Sequence, residues 1–280
     1  MKKESLLIKI WNCLWPLTIY MIAQIVVTAV GVLIVGTEHA IVYLLIAALI
    51  CIPIYYKLYK KDYELSGEKK RNITITNKDL MAIVVTSAAL ALAMNNIIGL
   101  TPLPRLFPGY EDTNEVIYSG GILLQILAAG IFGCIVEELS MRGVLYTRMK
   151  GYWGKKSAMI LSALVFGLYH LNVVQAVYAF ILGLFFVWLY ERYDSLWVSC
   201  MGHMSANLFI IMLSGSSLFE NAMTSLVGVC LMTCIALLVF YYGWDYMKQT
   251  KTLTEIQFVE KEPDTLKGLW EEYKEQEREE

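Results

Sequence analysis

Apolar residues run in long blocks along this chain, separated by short polar or charged breaks. The blocks lie near 11–35, 39–59, 80–100, 118–143, 157–171, 173–191, 196–214 and 222–243. A bilayer core takes about 20 apolar residues per helix, so each block predicts one crossing, about eight in all. Neither strand-like alternation nor Gly-Pro punctuation competes with helices. The break between the fifth and sixth blocks, His170 to Val173, predicts a tight connection. The expected fold class is therefore all-α, a polytopic membrane helix bundle with about eight transmembrane helices. No internal repeat is visible, and a Pro-containing loop at 101–108 is the one marked break outside the helices. The pattern divides into three N-terminal spans over 1–115, a membrane core over 116–245 and a charged tail over 246–280. The end of the tail, "DTLKGLWEEYKEQEREE", is polar nearly all round. It reads as a solvated segment or a short cytoplasmic helix capped by Asp264.

Composition agrees with this pattern. The 280 residues are 57% hydrophobic and 17% charged, where a soluble domain is near half apolar and about a quarter charged. A net charge of −2 gives no reason to expect nucleic acid as a partner, and none is expected. The six cysteines all fall inside apolar stretches, without zinc-finger spacing or a disulfide framework; they read as small buried hydrophobes. The first apolar run follows Lys2, Lys3 and Lys9 but ends in no small-residue cleavage site. It is expected to be a retained helix and not a removed signal peptide.

Charge placement sets an orientation. With eight spans and the N-terminus inside, the inside segments hold Lys2 to Lys9, the block Lys57 to Lys78, Arg142 to Lys156, Arg192 and the tail. Of the 23 Lys and Arg, only Arg105 falls outside. The positive-inside rule then predicts a multi-pass protein of the cell membrane with both termini in the cytoplasm.

Ionisable residues at membrane depth by default mark function. Three places carry such polar groups: Glu137, Glu138 and Arg142 on span four, "FGLYH" from Phe166 to His170 on span five, and "HMSAN" from His203 to Asn207 on span seven. Glu138 and Arg142 are four apart, so they share a helix face and can pair. Glu137 lies about 100° round the helix and is free to point elsewhere. His203 and Asn207 repeat the four-residue spacing, as do Phe166 and His170, so each pair can face one cavity. Reckoned at about 1.5 Å per residue, Glu137 and His170 both lie roughly 20 Å from the cytoplasmic ends of their spans, and His203 about 10 Å. These depths predict one cavity opening to the cytoplasm.

The side chains suggest a chemistry. A carboxylate kept ionised by a nearby cation can take a proton from water, and a histidine beside it can hold or polarise that water. His and Asn together supply N–H donors for a developing oxyanion. Water activation plus an oxyanion hole suffices for peptide hydrolysis without a covalent intermediate. No Ser-His-Asp arrangement and no HExxH motif offers another route.

The three pieces "EELSMRG", "FGLYH" and "HMSAN" resemble the EExxxR, FxxxH and HxxxN motifs of the CPBP family, which holds the type II CaaX prenyl proteases and the bacterial bacteriocin-processing or Abi proteins. The resemblance covers roughly residues 118–215, and Met141 stands where relatives often carry an aromatic. It implies an eight-helix intramembrane endopeptidase whose site opens to the cytosolic side. It further implies Glu137 as the base that activates water, His170 as its helper, and His203 with Asn207 as the oxyanion hole. Glu138, Arg142 and Phe166 take supporting positions. No cofactor is expected on this reading; the alternative is zinc held by Glu137, His170 and His203.

Other classes stay open at this point. Buried acids and histidines also line transporter pathways, although the inverted repeats and broken helices of transporters are not visible. A bacteriocin-immunity protein that binds a peptide without cutting it uses the same scaffold. The expected partners are membrane lipid and a peptide or lipidated-protein substrate. Whether that substrate is prenylated, and the oligomeric state, have no signal in the sequence.

Overall fold

Pro16 divides the first apolar block. The computed structural model describes residues 5–67, 71, 73–107, 109, 115–116, 120–216, 221 and 224–261. Within them, α1 (Leu6–Leu14) stops at Trp15, and α2 (Leu17–Ile34) starts from Pro16. Proline lacks the N–H that a continuous helix would need there, so the predicted crossing at 11–35 becomes a short helix followed by a span. A single 3-10 turn, Thr37–His39, leads into α3 (Ala40–Ser66), which carries the block 39–59 one to two turns further.

The remaining blocks fold close to their predicted limits. Helix α4 (Asn77–Gly99) opens with a capping box, in which Thr76 and Asp79 satisfy each other's backbone N–H groups. After the four-residue α5 (Leu103–Leu106), a continuous helical span, α6 (Ile122–Trp153), contains two π-helical stretches, Ile126–Phe132 and Leu139–Tyr146. Then come α7 (Lys155–Tyr169), α8 (Val173–Tyr193), α9 (Leu196–Ser214) and α10 (Leu226–Lys261). The segment from Asp264 onward lies outside the described residues.

Seven of the described helices are long and apolar enough to cross a membrane. The remaining predicted span, the fifth, is α7, which has 15 residues and so a length of about 22 Å, short of a full bilayer core. The molecule is a polytopic helical bundle.

Three packing relations position the interior. Helices α7 and α8 form an antiparallel hairpin, α4 packs against both α9 and α10, and α3 lies along α6. Large side chains fill the seams: Phe166, Tyr146 and Val187 in one cluster, and Phe185, Phe186, Leu189 and Ile83 in another. The hairpin turn is tight. Leu171 adopts a left-handed conformation at φ 54°, and Asn172 accepts hydrogen bonds from the N–H groups of Val174 and Gln175 to start α8.

One end of the bundle is fastened by charged networks. Arg148 holds Asp62 with two nitrogens, at 2.7 and 3.2 Å, and donates to the carbonyl of Asn12 at 2.6 Å. Glu191 accepts from Lys150 at 2.9 Å, Lys155 at 2.8 Å and the Tyr146 hydroxyl at 2.7 Å. Charge-assisted bonds of this kind are the stronger class, and they tie α1, α3, α6, α7 and α8 together at the cation-rich end.

Candidate active site

Two adjacent glutamates on α6 have different surroundings. Glu138 is fully enclosed. Its Oε1 lies 2.7 Å from a guanidinium nitrogen of Arg142 and 2.9 Å from Nδ1 of His203, and its Oε2 accepts from the Ser199 hydroxyl at 2.5 Å. Arg142, itself buried, spends its other terminal nitrogen on the Gly183 carbonyl at 3.0 Å and lies over the Phe166 ring, 4.5 Å from its centroid. The pair predicted from the four-residue spacing thus forms, and two further helices hold it. A buried charge needs such partners, because an unpaired one costs several kcal/mol to desolvate (roughly, by Born reasoning).

Glu137 points the other way. Its side chain keeps 23% exposure and lies 3.8 Å from Nε2 of His203. It lines a cavity of about 700 Å³ together with Phe166, His170, His203 and Asn207. All seven predicted site residues therefore gather in one region: five on the cavity wall, with Glu138 and Arg142 directly behind it.

Ring packing fixes the two histidines. His203 stacks on Phe186 with centroids 4.8 Å apart and meets Phe166 edge-on at 5.8 Å. His170 caps the C-terminal end of α7, edge-on to Phe166 at 5.0 Å. Its Nδ1 lies 2.8 Å from the Phe166 carbonyl. A carbonyl only accepts, so Nδ1 carries a proton, and in a neutral ring Nε2 then presents a lone pair. Asn207 donates through Nδ2 to the Ala129 carbonyl at 3.0 Å and to Sγ of Cys134 at 3.3 Å. The second of these is a weak acceptor that an incoming oxygen can displace.

Among the described residues, no three His, Cys, Asp or Glu side chains are grouped to hold a metal ion. As placed, Glu137, His170 and His203 do not fit a zinc site.

The cavity extends toward the cation-poor ends of its helices. Its wall includes Ile41, Ile98, Gly99, Pro104, Leu171, Val174 and Ser214, which stand at or next to the cation-poor ends of their helices. Gly99 and Leu171 are exposed, Leu171 at 83%. Among the described residues, none that lines the cavity comes from the cation-rich connections 67–76, 154 or 194–195. The cavity continues past His170, at the end of α7, toward the hairpin turn.

Several contributors had little signal. Ser199 lies one turn before His203, but a serine in an apolar helix is ordinary until its partner on α6 is known. Tyr20 and Gln24 bring α2 to the cavity wall from a span with no motif. The Tyr169 hydroxyl beside the cavity is buried without a hydrogen-bond partner.

Comparison with known proteins places this region. The model of the type II CAAX prenyl endopeptidase Rce1-like family matches residues 119–209, about a third of the chain. Over 104 residues the chain is 26% identical to a Bacillus subtilis (strain 168) protein named "Putative membrane peptidase YdiL"; the match covers 37% of this chain and 43% of that protein. The match thus spans less than half the length of that curated relative. No solved structure matches. The segment that carries every residue of the buried cluster, 119–209, is thus similar to the Rce1-like family of type II CAAX prenyl endopeptidases, and it is set in a polytopic helical membrane protein.

Proposed function

We propose that the protein is an intramembrane endopeptidase in which Glu137 activates water. One observation carries this reading: of two neighbouring carboxylates, Glu138 has its acceptors taken by Arg142, His203 and Ser199, while Glu137 faces a cavity large enough for a peptide segment. A structural ion pair needs only one glutamate. The second is positioned as a base.

The step is a direct hydrolysis. Glu137 takes a proton from water as the hydroxyl oxygen bonds to the peptide carbonyl carbon. The carbonyl oxygen becomes an oxyanion. Collapse breaks the C–N bond, and the proton held by Glu137 passes to the leaving amine. The lone pair on His170 Nε2 accepts a hydrogen bond from the attacking water. His203 and Asn207 donate to the oxyanion.

Glu138 holds Nδ1 of His203 at 2.9 Å, which leaves Nε2 on the cavity side, 3.8 Å from Glu137; donation from Nε2 to the oxyanion while Nδ1–H serves Glu138 requires a proton on both ring nitrogens. No metal enters this scheme. The protein sits in the cell membrane with both termini in the cytoplasm, as its cation distribution implies.

The substrate is a peptide or the peptide part of a lipidated protein. The test incubates reconstituted wild-type protein and the Glu137→Gln variant with a membrane fraction as substrate source. New peptide termini are expected with wild type alone. Equal cleavage by the variant would remove Glu137 from the mechanism.

A further inference from the structure

Hydrolysis inside a bilayer needs water at the base, yet most residues that line this cavity are apolar. We propose that the hydroxyls of Tyr169 on α7 and Tyr20 on α2, with the Gln24 amide, form a water-holding pocket beside Glu137. Calling its occupant the attacking water rests on the peptidase reading; the pocket itself does not.

Two polar groups on the cavity wall complement each other. Among the described residues, none donates a hydrogen bond to the Glu137 carboxylate. Its approach to Nε2 of His203, at 3.8 Å, is too long for one. On the same wall, the Tyr169 hydroxyl is buried and no described residue pairs with it. One group only accepts and the other can donate, and the two are electrostatic neighbours. Burying a polar group unpaired is costly. A water that accepts from the phenol and donates to the carboxylate satisfies both.

Helix α2 supplies the rest of the pocket. Tyr20 and Gln24 lie four residues apart, share a helix face, and both line the cavity. The Gln24 side chain faces the Tyr20 hydroxyl, which also neighbours Glu137. A third tyrosine fixes this face. The Tyr55 hydroxyl accepts from the Tyr20 N–H at 3.3 Å and donates to the Pro16 carbonyl at 2.7 Å, so it is used within the protein and anchors the start of α2. A buried water takes about three polar partners. Tyr169, Tyr20, Gln24 and Glu137 provide them, and a cavity of about 700 Å³ gives the room.

The pocket fits the proposed hydrolysis. A water at Glu137 has two protons to donate, one to the carboxylate and one to the lone pair of His170, the residue next to Tyr169. Donation from the Tyr169 hydroxyl occupies one of its own lone pairs. The other is left to bond the peptide carbonyl carbon. Tyr20 and Gln24 keep a further water at hand, so that the next turnover does not wait for one to cross an apolar wall.

The test combines a structure with kinetics, on the full-length wild-type protein and Tyr169→Phe. Phenylalanine keeps the ring and removes only the hydroxyl, whose water is released, so the fold is expected to hold. A map that resolves ordered water should show one within hydrogen-bond distance of the Tyr169 hydroxyl and Glu137 in wild type, and none there in Tyr169→Phe. On a peptide synthesised around a terminus that wild type generates, kcat should fall about three- to tenfold, the worth of one neutral hydrogen bond, with KM unchanged. The proposal is overturned if the wild-type hydroxyl bonds a protein group directly, or if the same water persists in Tyr169→Phe. It is equally overturned if kcat is unchanged, or if the loss lies in KM alone, which would make Tyr169 a substrate contact. The map needs no cleavage. Water at this place in a protein without peptidase activity would sink the peptidase reading and leave the pocket standing.

Discussion

Glu137 and His203 approach each other across the gap between α6 and α9, Oε2 to Nε2 at 3.8 Å, while the other nitrogen of the same ring is held by Glu138. One imidazole thus joins an enclosed ion cluster to a carboxylate in the cavity. On the proposed mechanism the two glutamates are expected to have separable effects, structural for Glu138 and chemical for Glu137.

Glu138→Gln is expected to lower stability strongly. It leaves Arg142 buried without its counter-charge, a loss on the order of 3–5 kcal/mol. Thermal unfolding of the detergent-solubilised protein should show a large drop for Glu138→Gln and little change for Glu137→Gln. Equal drops would contradict the division of roles.

His203→Ala is expected to reduce turnover by roughly 10²–10³-fold, as for loss of one oxyanion donor. The loss should appear in kcat more than in KM, because the donor acts on charge that develops in the transition state. A change confined to KM would instead make His203 a substrate-binding group.

Gly167 is the close-approach point of the α7–α8 hairpin. A β-carbon there would stand 2.5 Å from the Ala176 carbonyl oxygen. Gly167→Ala should push the helices apart, at a cost of about 1–3 kcal/mol, and shift His170, three residues on. Both melting temperature and cleavage should fall; a variant normal in both would show that the hairpin does not position His170.

Tyr169→Phe removes a buried hydroxyl that has no partner. Leaving a polar group unsatisfied costs about 1–3 kcal/mol, so the variant should be at least as stable as wild type. A clear drop in melting temperature would mean the hydroxyl has a partner in the membrane.

Chelation with excess EDTA should leave cleavage unchanged, since among the described residues no three candidate ligands are grouped to hold a metal ion. Loss of activity that zinc restores would replace the metal-free scheme.

Much of the fold was legible because membrane helices write their length as apolar runs. The block at 196–214 became α9 (Leu196–Ser214) with no adjustment, and the ion pair followed from the four-residue spacing of Glu138 and Arg142. What was lost depends on geometry between helices. Pro16 sat inside an apolar run and split it, which hydropathy averaged over. Ser199 became informative only once α9 was seen against α6. The extent of the cavity needed the end of α7 at His170 and the packing of the hairpin turn, which a count of residues along one span could not supply.

The most direct test of the account compares protein and peptide termini in cells expressing the wild-type chain or Glu137→Ala at matched levels. The account predicts a set of new termini present with wild type and absent with the variant. Identical profiles, with the wild-type protein folded and in the membrane, would contradict it and leave a binding protein in place of a peptidase.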